Sequence, residues 1–362
     1  MLSALNLEEP DRIPLFELYF DPPIVEKITG VSATGAMYES RRESIKTNSM
    51  AMIRCHEMLG MDSIVVWDWM SQARGFEIKI GSDKTYTDEW GIRWRVSPDA
   101  SGYMRNWWNG PAINSPEDFE KYVPPDPFAP GKMEAAEFIV EKVKKKMFVV
   151  GGLRDVFELS WQLRGMENFL LDLYTNPRFA EKIMDVILET NIKMGKALLD
   201  AGVDALLTGD DYADSHGPMF PPRIFRKYFL PRLKRFTRAL KIDNIFMIKH
   251  CDGDINPIFE DFIEAGFDAI NPLEPPVMNL KETKNTYGDK VCLIGNIDCG
   301  PILTHGSEQD VKKAVKESID NAAEGGGYMI SSSNSAHSGI KAENYVTLVK
   351  AARQYGIYPV AR

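Results

Sequence analysis

Short apolar runs recur along the chain: Ile13–Leu18, Ser63–Trp67, Met147–Gly151, Ala205–Thr208, Asn244–Ile248, Phe267–Asn271, Val291–Gly295 and Gly327–Ser331. They are rich in β-branched and aromatic residues and apolar at consecutive positions. This predicts strands buried on both faces, as in a parallel sheet. Stretches of helical period separate several of them, at 164–200, 223–240, 254–265 and 309–324. Asp254 is placed to cap the third of these, with Gly266 as its C-terminal stop. Strand, helix, strand repeated this way means right-handed βαβ units, and eight runs fit a closed (β/α)8 TIM barrel better than an open sheet.

One segment breaks the rhythm. From Gly75 to Pro98 the pattern alternates on both sides of Gly81-Ser82-Asp83-Lys84, which predicts an antiparallel β-hairpin. It follows the second barrel strand, so it projects from the catalytic face, and the Pro-, Trp- and Asn-rich stretch 99–130 packs beside it as a lid. The expectation is a single barrel domain over residues 1–362 with an inserted hairpin and lid at 75–130.

The 362 residues are 44% hydrophobic and 26% charged, enough to bury a large core without disulfides. Cys55, Cys251, Cys292 and Cys299 form no CxxC pair, and the first ten residues lack the basic and apolar regions of a signal peptide. With no apolar run of membrane-spanning length, a cytoplasmic protein without a membrane partner is expected. A net charge of −9 argues against nucleic acid as a partner. The basic run Arg223–Arg238 reads as a solvated helix face or, alternatively, as a docking patch for an acidic partner or cofactor.

Chemistry in a barrel collects just after the strands, and here nearly every strand end is polar. Glu17 follows the first strand, Asp68 the second, Asp210-Asp211-Tyr212 the fourth, and His250-Cys251-Asp252-Gly253 the fifth. Glu274 follows the sixth, Asn296 the seventh and Asn334 the eighth. Singly, any of these is a helix cap; together they make an acidic bowl whose carboxylates repel one another unless a cation or protons offset them. Asp68, Asp210, Asp211 and Tyr212 are the expected catalytic set, and Glu17, Tyr19, Trp67, Asn296 and Asn334 the expected substrate contacts. A histidine with carboxylates can build a zinc site with an open position. The spacing His250-x-Asp252 turns both side chains inward, with Glu274 as third ligand and Cys251 against the wall. The alternative is a histidine held by Asp252 or Asp211 as an ordinary hydrogen-bonded pair.

At these residues the chain resembles the uroporphyrinogen decarboxylase superfamily. The resemblance runs through Ile248-Lys249-His250-Cys251-Asp252-Gly253-Asp254-Ile255, Leu293–Asp298, Gly327–Ser331, Glu343-Asn344 and Tyr355–Tyr358. It implies a (β/α)8 barrel and either porphyrinogen decarboxylation or corrinoid-linked methyl transfer. True decarboxylases grip propionates with an N-terminal Arg-Gln-Ala-Gly-Arg motif, and Phe16-Glu17-Leu18-Tyr19-Phe20-Asp21 stands there instead. Thiol-methylating members bind zinc through His-x-Cys and a distant Cys, which match His250, Asp252 and Asn334, so both thiolates are replaced. A carboxylate-and-histidine zinc site suits an oxygen donor. The resemblance therefore implies a methyltransferase of O-demethylase type, moving a methyl group from a small methoxylated or methylated donor to cobalt. No Asp-x-His-x-x-Gly corrinoid signature occurs, so the corrinoid would arrive on a partner protein. The aromatic residues, among them Trp69 and the Trp107-Trp108 pair, could line a cavity for an aromatic ether or cage a methylated ammonium. A lyase acting on a carboxylate substrate and a non-catalytic ligand-binding barrel are the competing readings. The apolar outer helices would serve either a homodimer or barrel packing.

Overall fold

A computed structural model describes residues 1–31, 42–242 and 245–360. Its centre is a curled sheet of seven parallel strands, ordered as the chain runs: β1 (Ser63–Trp67), β5 (Phe148–Leu153), β6 (Ala205–Gly209), β9 (Phe246–His250), β10 (Ala269–Asn271), β11 (Cys292–Ile294) and β12 (Tyr328–Met329). The predicted run at Asn244 begins outside the described residues; the strand itself begins at Phe246.

The first predicted strand, Ile13–Leu18, makes no continuous ladder, yet it lies between the two sheet edges. Leu15 forms a parallel bridge with Ile330, and the Leu15 carbonyl accepts from the Asp62 amide at 3.3 Å. Local chemistry explains the missing ladder. Pro14 has no N–H, and the Leu15 N–H donates to the Asp62 carboxylate at 2.8 Å, which Arg12 also grips with two bonds of 2.6 and 2.7 Å.

Inside the curl, one side chain in two points inward from each element: Phe16, Leu18, Val65, Val150, Ala205, Leu207, Ile248, Ala269, Cys292, Ile294 and Met329 pack together. Ala4 and Leu5 join them from the short helix Leu2–Leu5. A larger apolar layer fills the space between the sheet's outer face and the helices.

Helix limits differ from the sequence pattern where backbone chemistry intervenes. The stretch expected at 164–200 is three helices, Phe157–Arg164, Met166–Thr175 and Pro177–Asp200, divided at Gly165 (φ +87°) and before Pro177. The helix expected at 254–265 begins with a tight turn, Asn256–Ile258, after Asp254 has accepted the Asn256 amide at 3.1 Å, and it ends on Gly266. The hairpin has become a three-stranded antiparallel sheet: β2 (Thr85–Thr87), β3 (Arg93–Pro98) and β4 (Met104–Gly110). Phe76–Ile80, expected as a strand, is extended coil, and the stretch expected to be lid supplies β4. Two short strands, β7 (Ala213–Asp214) and β8 (Gly217–Pro218), follow β6.

The last inward layer is built around Trp67. A Cβ at either Gly152 or Gly209 would stand 2.7 Å from its indole, so the ring fits only because β5 and β6 carry glycine there. Gly152→Ala is therefore expected to cost about 1–3 kcal/mol of overpacking. Adding Trp67→Leu should recover part of that loss, so the two changes are non-additive in a denaturant double-mutant cycle.

Candidate functional site

β9 ends in two adjacent residues that face opposite ways. Lys249 points out of the curl and His250 into it. Lys249 is fully buried, and its ammonium meets the equally buried Asp155 at 2.7 Å and the Asp210 carbonyl at 2.8 Å. Burial alone would lower the lysine's pKa; the facing Asp155 and Asp210 carboxylates overcome it and raise it. Burial would likewise raise Asp155, but Lys249 holds it below its ordinary value. Asp210 goes the other way, pushed well up by burial and by Asp155. Its oxygens accept the amides of Asp155 (3.3 Å) and Glu158 (2.9 Å), at the start of helix Phe157–Arg164. Tyr212 donates to Asp155 at 2.5 Å from within a cluster of Phe157, Phe220, Phe225 and Phe229. Asp210 and Tyr212, expected in the catalytic set, thus lie behind the strand ends, with no solvent-exposed surface.

On the inner side, His250 Nδ1 is 2.7 Å from Asn271 Oδ1. An amide oxygen can only accept, so Nδ1 carries the proton and Nε2 presents a lone pair. Burial lowers the imidazole's pKa and so favours its neutral form, outweighing Asp211, which raises it. Nε2 faces Asp252 Oδ1 at 3.5 Å and Asp211 Oδ1 at 3.8 Å. One donor atom from each of the three lies within 4.8 Å of the others, a grouping that could hold a metal ion. Burial, then Asp211 and Glu274, push the Asp252 carboxyl well up. Asp252 Oδ2 accepts from Asn334, and the Asp252 amide donates to Asp211 Oδ1 at 3.0 Å. Glu274 accepts the Gly253 amide at 2.7 Å and stands outside this triad, whose third member is Asp211. Cys251 is buried, its thiol pushed up by that burial, and its sulfur accepts the Tyr212 amide at 3.1 Å.

The other expected contacts are distributed. Trp67 lies across the glycines of β5 and β6, with Trp69 stacked at 6.5 Å and Tyr19 edge-on to Trp69 at 5.8 Å. Asn296 is committed to the Leu273 carbonyl (3.1 Å) and Ser318 (3.2 Å). Glu17 is buried and accepts from Tyr345 (2.6 Å) and Ser332 (2.8 Å), on the helical side of the sheet. Asp68 lines a separate cavity of about 570 Å3, between the β2–β4 sheet and the mouth, with Arg154, Glu158 and six of the chain's seven tryptophans. Asn271, Asp155 and Lys249 were not among the expected site residues. A lysine inside an otherwise apolar strand was the available signal, since a buried ammonium requires a partner.

With this geometry in view, the comparisons with known proteins are specific. The family described as uroporphyrinogen decarboxylase (URO-D) matches residues 108–355, and the chain belongs to that family. Within it, the methylcobamide:CoM methyltransferase MtaA of Methanosarcina barkeri is 24% identical over 323 residues, covering 88% of each chain. A uroporphyrinogen decarboxylase of Thioalkalivibrio sulfidiphilus is 24% identical over 195 residues, or 51% of each. A solved methyltransferase from Methanosarcina mazei shares the fold, with a TM-score of 0.74 at 20% identity over 98% of this chain and 97% of that one.

Two buried groups give measurable predictions. Lys249→Met leaves Asp155 buried and uncompensated, so a loss of about 3–5 kcal/mol is expected in urea unfolding; adding Asp155→Asn should return part of it. Burial pushes Glu17 from 4.5 to about 7, against the hydrogen bonds from Tyr345 and Ser332. A folded-state pKa above the unfolded one means that the native state holds the proton longer. The group's contribution, up to ~3 kcal/mol, is then complete below pH 4.5 and lost as pH rises through about 7. Glu17→Gln should flatten that slope in stability measured against pH.

Proposed function

We propose that the protein transfers a methyl group from a small oxygen-linked donor to the cobalt of a corrinoid carried by a partner protein, with zinc held by His250, Asp252 and Asp211. The observation that carries this reading is the convergence of three donor atoms within 4.8 Å. The residues fit a cation. Asp252 Oδ1 is a buried oxygen without a hydrogen-bond partner, and 3.5 Å away the Nε2 lone pair of His250 is aimed at it. Two acceptors facing each other are satisfied by a metal between them. The donor set is one imidazole and two carboxylates, which favours a hard oxygen ligand in the open position over a thiol. Bound there, zinc would supply Lewis acidity to the donor's oxygen as its bond to the methyl carbon breaks.

The protein's own residues do the rest. Asn271 fixes the histidine tautomer, Asn334 orients Asp252, and the Asp252 amide orients Asp211. The stacked indoles of Trp67 and Trp69 give the mouth an apolar surface that limits water. Decarboxylation of a polycarboxylate is disfavoured, because Asp211, Asp252 and Glu274 would repel it. The Methanosarcina barkeri methyltransferase aligns over 88% of its length, against 51% for the decarboxylase.

We read residues 1–362 as one (β/α)8 domain, closed by Ile13–Leu18. Its support is the Leu15–Ile330 bridge and the inward Phe16 and Leu18. Four buried free thiols support a reducing, cytoplasmic setting, and among the described residues no helix is long and apolar enough to cross a membrane.

Metal-replete protein should methylate cob(I)alamin from at least one member of a panel of methoxylated compounds, followed by absorbance. Asn271→Ala should lower zinc affinity about 10–100-fold, and His250→Ala and Asp252→Ala by more, with transfer falling in step. Full transfer by metal-stripped protein would refute the zinc role, and a panel without any transfer would refute the donor class.

A further inference from the structure

The cavity of about 570 Å3 beside the mouth has the size of a small-molecule site. Its walls come from the β2–β4 sheet, the turn after β1 and helix Phe157–Arg164. Trp69, Trp90, Trp94, Trp107, Trp108 and Trp161 line it. Two of these rings are fixed through their indole N–H groups, while Trp69 stacks on Trp67 and Trp108 meets Trp161 edge to face. Trp94 Nε1 donates to Asp88 at 2.7 Å and Trp108 Nε1 to the Gln162 carbonyl at 2.9 Å.

The charges in these walls do not balance. Four carboxylates, Asp68, Asp88, Glu89 and Glu158, face two cations, Lys132 and Arg154. Both cations are committed: Lys132 is 2.6 Å from Glu89, and Arg154 is 3.3 Å from Glu158. Asp88 is occupied by the Trp94 indole and by the amides of Trp90 and Ile92. Asp68 forms no ion pair among the described residues, and burial pushes its pKa up while Lys132 and Arg154 pull it back.

A second, independent observation points the same way. Gln162 is 2% exposed, and its Nε2 donates to Glu158, but its Oε1 has no partner. Asn106 Oδ1, across the cavity on β4, is also buried without one. The excess of carboxyl groups over cations among the indoles favours a ligand that brings positive charge, and the unmatched Gln162 and Asn106 oxygens leave room for a hydroxyl or ammonium donor on it.

We propose that this cavity binds a small organic cation, an alkyl- or arylammonium compound. The proposal does not rest on the methyl-transfer reading. A carboxylate ligand is disfavoured by the same charges that favour the cation.

The test uses the whole protein, metal-stripped and without corrinoid, so its outcome is independent of turnover. Binding of choline, phenyltrimethylammonium, the neutral carbon analogue of choline and the anion anisate is followed by tryptophan fluorescence and calorimetry. The cations should bind saturably and about tenfold or more tighter than the neutral analogue, with anisate weakest. Asp68→Asn should weaken cation binding about tenfold and leave the neutral analogue unchanged. Asn106→Asp should tighten cation binding, a gain that misfolding cannot produce. Equal affinity for choline and its carbon analogue, anisate binding as well as the cations, or no saturable binding by any cation would each overturn the proposal. If cations bind but cob(I)alamin is never methylated, the cavity stands and the methyl-transfer reading falls.

Discussion

The ion pair between Lys249 and Asp155 fixes the carboxyl end of the sheet. Both groups are completely buried, and stripping two charges of water is costly enough that they persist only as partners. Asp155 follows β5, the Asp210 carbonyl that also accepts from Lys249 follows β6, and Lys249 itself is in β9. One ammonium thus ties three consecutive strand ends in a single register. Because side chains alternate along a strand, holding Lys249 outward forces His250 inward. The triad's geometry is inherited from an interaction on the opposite face of the sheet.

That arrangement leaves the inner side short of positive charge. Asp211, Asp252 and Glu274 lie close enough that the first and third raise the carboxyl of Asp252, on top of its burial. Such a cluster needs protons or a cation. The asparagines on either side decide between these: Asn271 makes His250 a neutral donor of a lone pair, and Asn334 occupies one Asp252 oxygen and leaves the other facing the histidine. Each neighbour is arranged so that the Nε2 lone pair of His250 and the free oxygen of Asp252 face each other.

The alternation of apolar runs was enough to locate all seven sheet strands, because buried parallel strands carry that signature without long-range information. Ile13–Leu18 was located too, but its missing ladder was not legible, since it depends on Asp62 meeting the Leu15 amide across 47 residues. His250 and Asp252 were readable from spacing on one turn. The third member of the grouping was not: Asp211 and Glu274 both follow strands, and in the fold Asp211 stands by His250 while Glu274 accepts the Gly253 amide. Asp210 and Tyr212 misled because polarity at a strand end says nothing about the face it takes. The aromatic cavity was visible only in part, since Trp90 and Trp161 line it together from positions too far apart in sequence for any local pattern to span.

The same buried network also builds the cavity wall. Asp210, whose carbonyl receives Lys249, accepts the Glu158 amide through its carboxyl and so anchors the start of helix Phe157–Arg164. That helix carries Glu158, Trp161 and Gln162 to the cavity. Glu158 lies between the two regions: it pairs with Arg154 on the cavity side, while Asp211 of the triad is the carboxylate that most strongly raises its pKa after burial. Charge placed in either region is therefore felt in the other through Glu158. A cation in the cavity favours ionised Glu158 and opposes a second positive charge at the triad, whereas the carboxylates of both regions attract each other's cations. Lys249, whose ammonium faces both Asp155 and Asp210, ties this network to β9.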